Sequence, residues 1–180
     1  MHSLRVAVEI TWAVFWIGWL VSAFTARRSI NRGRGMSGRG IAAVAVVVLV
    51  RGFRGGALEV HSLVLGLIGA ALLVAGLALA IWARVILGRN WGMPMTERIE
   101  PELVTAGPYR LIRHPIYTGL LLALVGSSLV TNLIGLGIAV ILGVYFVYSA
   151  TVEERNLTAT FPQAYPEYKA HTKMLIPYLL

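Results

Sequence analysis

Two stretches of this chain hold residue types that can do chemistry. The first is Leu103 to Gly119, LVTAGPYRLIRHPIYTG, dense in Arg, His, Tyr, Pro and Gly between two long apolar segments. Pro115 suits the first turn of a helix, where its missing N–H is no loss. His114, preceding it, is pushed toward extended backbone. A helix starting there leaves the N–H groups of Ile116, Tyr117 and Thr118 pointing out past Arg113 and His114. A helix N-terminus beside an Arg is a ready anion site, and a small carboxylate suits it. The second stretch is the acidic pair Glu153-Glu154, just after Tyr145 and Tyr148. If a helix stops at that pair, the carboxylates face the negative end of its dipole and need a compensating partner. If the helix runs on to Phe161, that need lapses. A loop Arg, ribose hydroxyls or a cationic ligand would serve as partner. The plain alternative is a solvated interfacial pair balanced by Arg155, and His114 has a similar alternative as an interfacial residue.

Other chemistries find little support. The four His (His2, His61, His114 and His171) are scattered, without HxxH or HExxH spacing, so no metal site is expected. The absence of Cys excludes disulfides, thiolate metal sites and a Cys nucleophile. No Gly-rich phosphate loop or Ser nucleophile elbow occurs.

The elements that must position these residues are membrane helices. The chain is 57% hydrophobic and only 13% charged, with the apolar residues in long runs, which indicates an all-α, polytopic transmembrane bundle. Five spans are expected: Val6–Ala26, about 40–53, Ser62–Ala83, Ile116–Val130 and Leu133–Ala150. The first ends in Arg27-Arg28, a stop-transfer pattern rather than a cleavage site. The second is short, and charge decides its crossing. With five spans, 13 basic residues fall on one side and three, Arg5, Arg51 and Arg54, on the other. That asymmetry follows the positive-inside rule, with the N-terminus outside, the C-terminus cytoplasmic and the bacterial inner membrane as the location. The net charge of +8 is therefore a topology signal, and nucleic acid is not an expected partner. Trp12, Trp16 and Trp19 form one stripe for packing or interfacial anchoring. Gly and Ala in the third span allow close helix approach.

Ile116–Val130 and Leu133–Ala150, joined by Thr131-Asn132, form a hairpin that leaves one face and returns to it. His114 and Glu153, 39 positions apart, must then meet at that face. The more polar end, from Glu153 to Leu180, folds back as a cap. Residues 1–61 form a two-span N-terminal region and 62–180 the core. The cavity so enclosed suits a ligand with an anionic end and a hydroxylated or cationic part.

The residues LVTAGPYRLIRHPIYTG, followed by EERNLTATFPQAYPEYKAH, resemble the isoprenylcysteine carboxyl methyltransferases and their phospholipid methyltransferase relatives. The shared pattern is LVT-x-G-x-Y, RHPxYxG, a hairpin, and EExxL with Phe161, Tyr165 and Tyr168. It covers roughly residues 87–177. The resemblance implies an integral-membrane, S-adenosylmethionine-dependent methyltransferase acting on a lipophilic small molecule or lipid from the bilayer, through a carboxylate or an amine. It implies a cofactor site of Glu102, Leu103, Val104, Tyr109, Arg113, His114, Pro115, Ile116, Tyr117 and Glu153. The helix N-terminus would hold the methionine carboxylate, and Tyr109 and Tyr117 would wall the adenosine. Glu154 or His114 would deprotonate an amine acceptor, and Arg84 would orient an anionic head group. In one departure, members acting on prenylated cysteine carry a basic residue shortly before the acidic pair, where this chain has Tyr148-Ser149-Ala150-Thr151-Val152. The cofactor site thus carries over further than prenylcysteine does. Two rivals are an NADPH-dependent membrane reductase of the related sterol-reductase fold and a non-catalytic membrane subunit. The basic cluster that NADPH would need is missing from the cap.

Overall fold

The computed structural model describes residues 1–23, 58–88 and 102–177. Among these the secondary structure is helical: α1 (His2–Ala23), α2 (Leu63–Leu87), a 3-10 turn (Gly107–Arg110), α3 (Pro115–Val130), α4 (Ile134–Thr160) and α5 (Ala164–His171). Helices α1, α2 and α4 are long and apolar enough to cross a bilayer, and α3 is a shorter apolar helix. Helices therefore stand, with shifted ends, at four of the five expected spans, and three of them are long and apolar enough to cross. The second expected span, about 40–53, lies outside the described residues.

Small residues set the central contact, that of α2 with α3. The two helices are antiparallel and meet backbone to backbone at two levels. A Cβ added to Gly69 would lie 2.5 Å from the Gly126 carbonyl oxygen, and one added to Gly76 would lie 2.5 Å from that of Gly119. Each helix thus repeats its glycine after seven residues, two turns, and the seam stays in register. Val8, Phe15, Leu73, Leu77, Ala80, Ala123 and Val130 form the core beside it. The Trp stripe of α1 packs on this core. Trp12 stacks on Trp16 at 6.2 Å and donates from Nε1 to Ser127 Oγ at 2.9 Å.

The two ends of the bundle differ. At the far end, the Val60 N–H donates to the Thr131 carbonyl and the Leu133 N–H to that of Leu58, so residues 58–60 lie along the α3–α4 turn. Arg5 pairs with Glu59 there. At the near end, Arg84 donates to the carbonyls of Ser22 at 2.6 Å and Gly88 at 2.7 Å, tying the end of α1 to the end of α2. Residues 23 and 58 thus sit at opposite ends of the bundle.

Asn132 makes the hairpin turn tight: its Oδ1 accepts from the Ile134 N–H at 2.9 Å. Helix α4 then runs past the acidic pair to Thr160. The dipole argument for the pair accordingly lapses, because the carboxylates lie inside the helix and not at its end.

Candidate functional site

Gly107 begins the site. Its φ of +58° is in the region that favours glycine, and a Cβ there would lie 2.9 Å from Ile86 Cγ1. Only glycine lets the following turn sit this closely on the end of α2. The turn buries Pro108 and Tyr109 and delivers the chain to His114, the N-cap of α3, with Pro115 at the first helical position.

The C-terminal segment is laid alongside this loop. The Lys173 N–H donates to the Leu111 carbonyl, the Arg113 N–H to that of Lys173 at 2.8 Å, and the His114 N–H to that of Met174 at 3.0 Å. Thr118 Oγ1 donates to the Leu175 carbonyl at 2.7 Å, and the Tyr168 hydroxyl to that of Tyr109 at 2.6 Å. Burial pushes the Tyr168 hydroxyl up to about 12, so it stays a donor at physiological pH. The expected cap is therefore a strap, hydrogen-bonded to the very loop that carries the motif.

A buried charge cluster fastens that strap. Arg113 Nε donates to Glu154 Oε1 at 2.7 Å, and the same guanidinium donates to the Thr172 carbonyl. Lys169 Nζ reaches Glu154 Oε2 at 2.7 Å. Glu154 and Arg113 are both nearly sealed from solvent, with side-chain exposures of 4% and 7%. Held by two cations, Glu154 ties the strap to the end of the hairpin.

Glu153 is set differently. Its side chain is 26% exposed. The Tyr117 hydroxyl donates to its Oε1 at 2.5 Å, and His114 Nδ1 lies 3.6 Å from its Oε2. The other nitrogen of His114, Nε2, is 3.5 Å from Glu154 Oε1 and makes no hydrogen bond within the protein. The His114 ring stacks on Tyr117 at 5.4 Å, and Tyr117 stacks on Phe146 at 4.5 Å. The result is a half-open carboxylate beside a column of flat rings.

Of the residues singled out by sequence, Arg113, His114, Pro115, Tyr117, Glu153 and Glu154 come together at one end of the hairpin, and Ile116 follows Pro115 in the first turn of α3. Tyr109 joins them through Tyr168. Glu102 is exposed and Leu103 and Val104 half-buried on the approach to the turn. Arg84 is buried and bonded to the helix ends, the geometry of an anchor. At the start of α3, the Thr118 N–H donates to the His114 carbonyl at 3.2 Å, so of the three N–H groups expected to point outward this one is used within the helix. Sequence reading missed Lys169, Tyr165 and Ser149. Tyr165 is almost wholly buried, its hydroxyl has no protein partner, and burial, reinforced by the Glu154 charge, holds it above the ordinary phenol range. A cavity of about 340 Å³ between α4 and α5 touches the cluster from outside, through Glu154 and Lys169, along a flank of α4 formed by Thr151, Arg155 and Thr158. No group of three or more possible metal ligands occurs among the described residues.

A bundle of apolar helices with a polar cluster at the mouth of a hairpin defines an integral membrane protein. Residues 64–164 match the family model of phospholipid methyltransferases, so the chain belongs to that family. It shares its fold with the eukaryotic intramembrane Ras methyltransferase ICMT (isoprenylcysteine carboxyl methyltransferase). That match has a TM-score of 0.61 and 25% identity, over 83% of this chain and 55% of that one. The nickel-cobalt-cadmium resistance protein NccN of Alcaligenes xylosoxydans xylosoxydans is 34% identical over 115 residues, 62% of this chain and 53% of that protein. Methanethiol S-methyltransferase 1 of Bradyrhizobium diazoefficiens is 33% identical over 84 residues, 46% of this chain and 28% of that protein. The chain spans about half the length, or less, of these relatives.

Proposed function

We propose that this protein is an S-adenosylmethionine-dependent methyltransferase acting on a lipophilic acceptor that enters from the bilayer. The observation that carries the reading is the meeting of His114, Tyr117 and Glu153 at the mouth of the hairpin, inside the segment matched to the phospholipid methyltransferases. The residues suit the cofactor group by group. The N–H groups of Ile116 and Tyr117 would take the methionine carboxylate, and the ring column of His114, Tyr117 and Phe146 offers an aromatic wall for the adenosine. Glu153 would take the ribose hydroxyls or offset the positive charge, and the unpartnered Tyr165 hydroxyl offers a further polar contact. The cofactor, once bound, supplies an electrophilic methyl group. The protein's part is to align the acceptor and exclude water, which the strap serves by covering the loop. Where the acceptor must lose a proton, Glu153 or His114 is better placed than Glu154, which is held by Arg113 and Lys169. Charge supports a cytoplasmic site in a bacterial inner membrane, because Arg84, Arg110, Arg113, Arg155, Lys169 and Lys173 accompany it while Arg5 marks the far end.

Tritium transfer tests the reading. Purified protein in vesicles of bacterial lipid extract is incubated with methyl-tritiated S-adenosylmethionine, and the label entering the organic phase is counted. Label is expected there, with a loss of about tenfold in Tyr117→Phe, which keeps the ring stack but removes a hydrogen bond to a carboxylate. An organic phase without label would contradict a lipid-borne acceptor. Equal transfer by Tyr117→Phe would contradict the role given to the Tyr117–Glu153 pair.

A further inference from the structure

Helices α3 and α4 contain seven Ser or Thr side chains. Thr118 donates to the Leu175 carbonyl, and five others, Ser127, Ser128, Thr151, Thr158 and Thr160, donate to the carbonyl four residues earlier. That is the usual refuge of a hydroxyl in an apolar helix. Ser149 is the exception. It is 0% exposed and its Oγ has no hydrogen-bond partner within the protein. Its Oγ does not bond the Tyr145 carbonyl one turn back, as those five hydroxyls bond theirs. Buried hydroxyls without a partner are rare, since the desolvated group costs about 1–3 kcal/mol.

Its position is telling. Ser149 lies one turn before Glu153 on the same flank of α4, and one turn after Tyr145. Both of these neighbours act electrostatically on the Tyr117 hydroxyl. The next residue, Ala150, packs against Tyr117 itself. Ser149 thus sits beside the face of α4 that meets the site, deeper in the bundle than Glu153. The only basic residue in α4 is Arg155, which lines the outer groove instead. The nearby cations Arg113 and Lys169 are both bound to Glu154. Among the described residues, nothing on this flank would neutralise a carboxylate, and Glu153 would repel one.

We propose that Ser149 is the specificity-determining residue for the acceptor, hydrogen-bonding an uncharged head group, a hydroxyl or a thiol, at the end of an apolar chain. A charged carboxylate would be rejected because a buried anion without a counter-charge is far costlier than a buried hydroxyl. This inference rests on the methyltransferase reading and narrows its substrate class.

The test is calorimetric binding to the full chain in lipid nanodiscs, with empty nanodiscs subtracted. The probes are 1-nonanol, 1-nonanethiol, nonanoate and nonylamine, and S-adenosylhomocysteine is titrated separately. Nonanol or nonanethiol is expected to bind at least tenfold more tightly than nonanoate or nonylamine. Ser149→Ala is expected to lose that preference, and Ser149→Arg to shift it toward nonanoate, with S-adenosylhomocysteine binding unchanged in both. Tighter binding of nonanoate or nonylamine by the wild type, or an unaltered preference in Ser149→Ala, would overturn the role of Ser149. Failure of S-adenosylhomocysteine to bind the wild type would instead overturn the methyltransferase reading.

Discussion

Glu154→Ala is expected to release the C-terminal strap and to destabilise the protein by about 3–5 kcal/mol, the usual cost of removing one partner from a buried ion pair. The pair satisfies that description: Arg113 and Glu154 meet at 2.7 Å and are almost fully enclosed. Removing the carboxylate strands the Arg113 guanidinium among backbone carbonyls and takes the anchor from Lys169. Lys169→Ala should cost far less, about 0–1 kcal/mol, because that side chain is half exposed and screened by water. Thermal unfolding in detergent measures the destabilisation, and amide hydrogen exchange locates it. Faster exchange in residues 164–177, with the α2–α3 core still protected, is the expected pattern. Unchanged protection of the strap would show that the backbone bonds between 111–114 and 173–174 hold it without the charge cluster.

Gly119→Leu is expected to prevent the bundle from assembling. A Cβ at this position lies 2.5 Å from the Gly76 carbonyl oxygen and 2.8 Å from the Ala80 backbone nitrogen. Both obstacles are backbone, so no side chain can swing away. Gly119→Ala should cost about 1–3 kcal/mol as the helices move apart, and the larger residue more than the fold can absorb. Gly137 is the control, since nothing stands within 4 Å of a Cβ there. Gly137→Ala should be neutral or stabilising by up to about 1 kcal/mol through helix propensity. Yield in the membrane fraction and midpoint of thermal unfolding decide the matter. A Gly119→Leu protein that melts with the wild type would contradict the close seam.

Much of this architecture could be read from residue order, because it follows from counting. The length of the hairpin requires His114 and Glu153 to meet, and they stand 3.6 Å apart. Small residues at helical spacing mark the α2–α3 seam before any contact is seen. What the sequence hid depends on pairings between distant segments. The strap reads as a polar, amphipathic end, and nothing in its composition says that Lys173 and Met174 will align with Leu111 to His114 through backbone bonds. Lys169 was invisible for the same reason. The roles of the two glutamates were also hidden: adjacent in sequence, they project some 100° apart on a helix, one into the charge cluster and one toward Tyr117. Ser149 showed in the sequence only as part of a stretch lacking a basic residue, and its failure to bond the preceding turn is visible only in the structure.

The central claim is that the His114–Tyr117–Glu153 cluster holds a methyl donor. Equilibrium binding of S-adenosylmethionine and of NADPH to the detergent-purified protein tests it most directly. Micromolar-range binding of S-adenosylmethionine, lost in Glu153→Ala and His114→Ala and absent for NADPH, is the predicted result. Binding of NADPH alone, or of neither molecule by a folded protein, would contradict it.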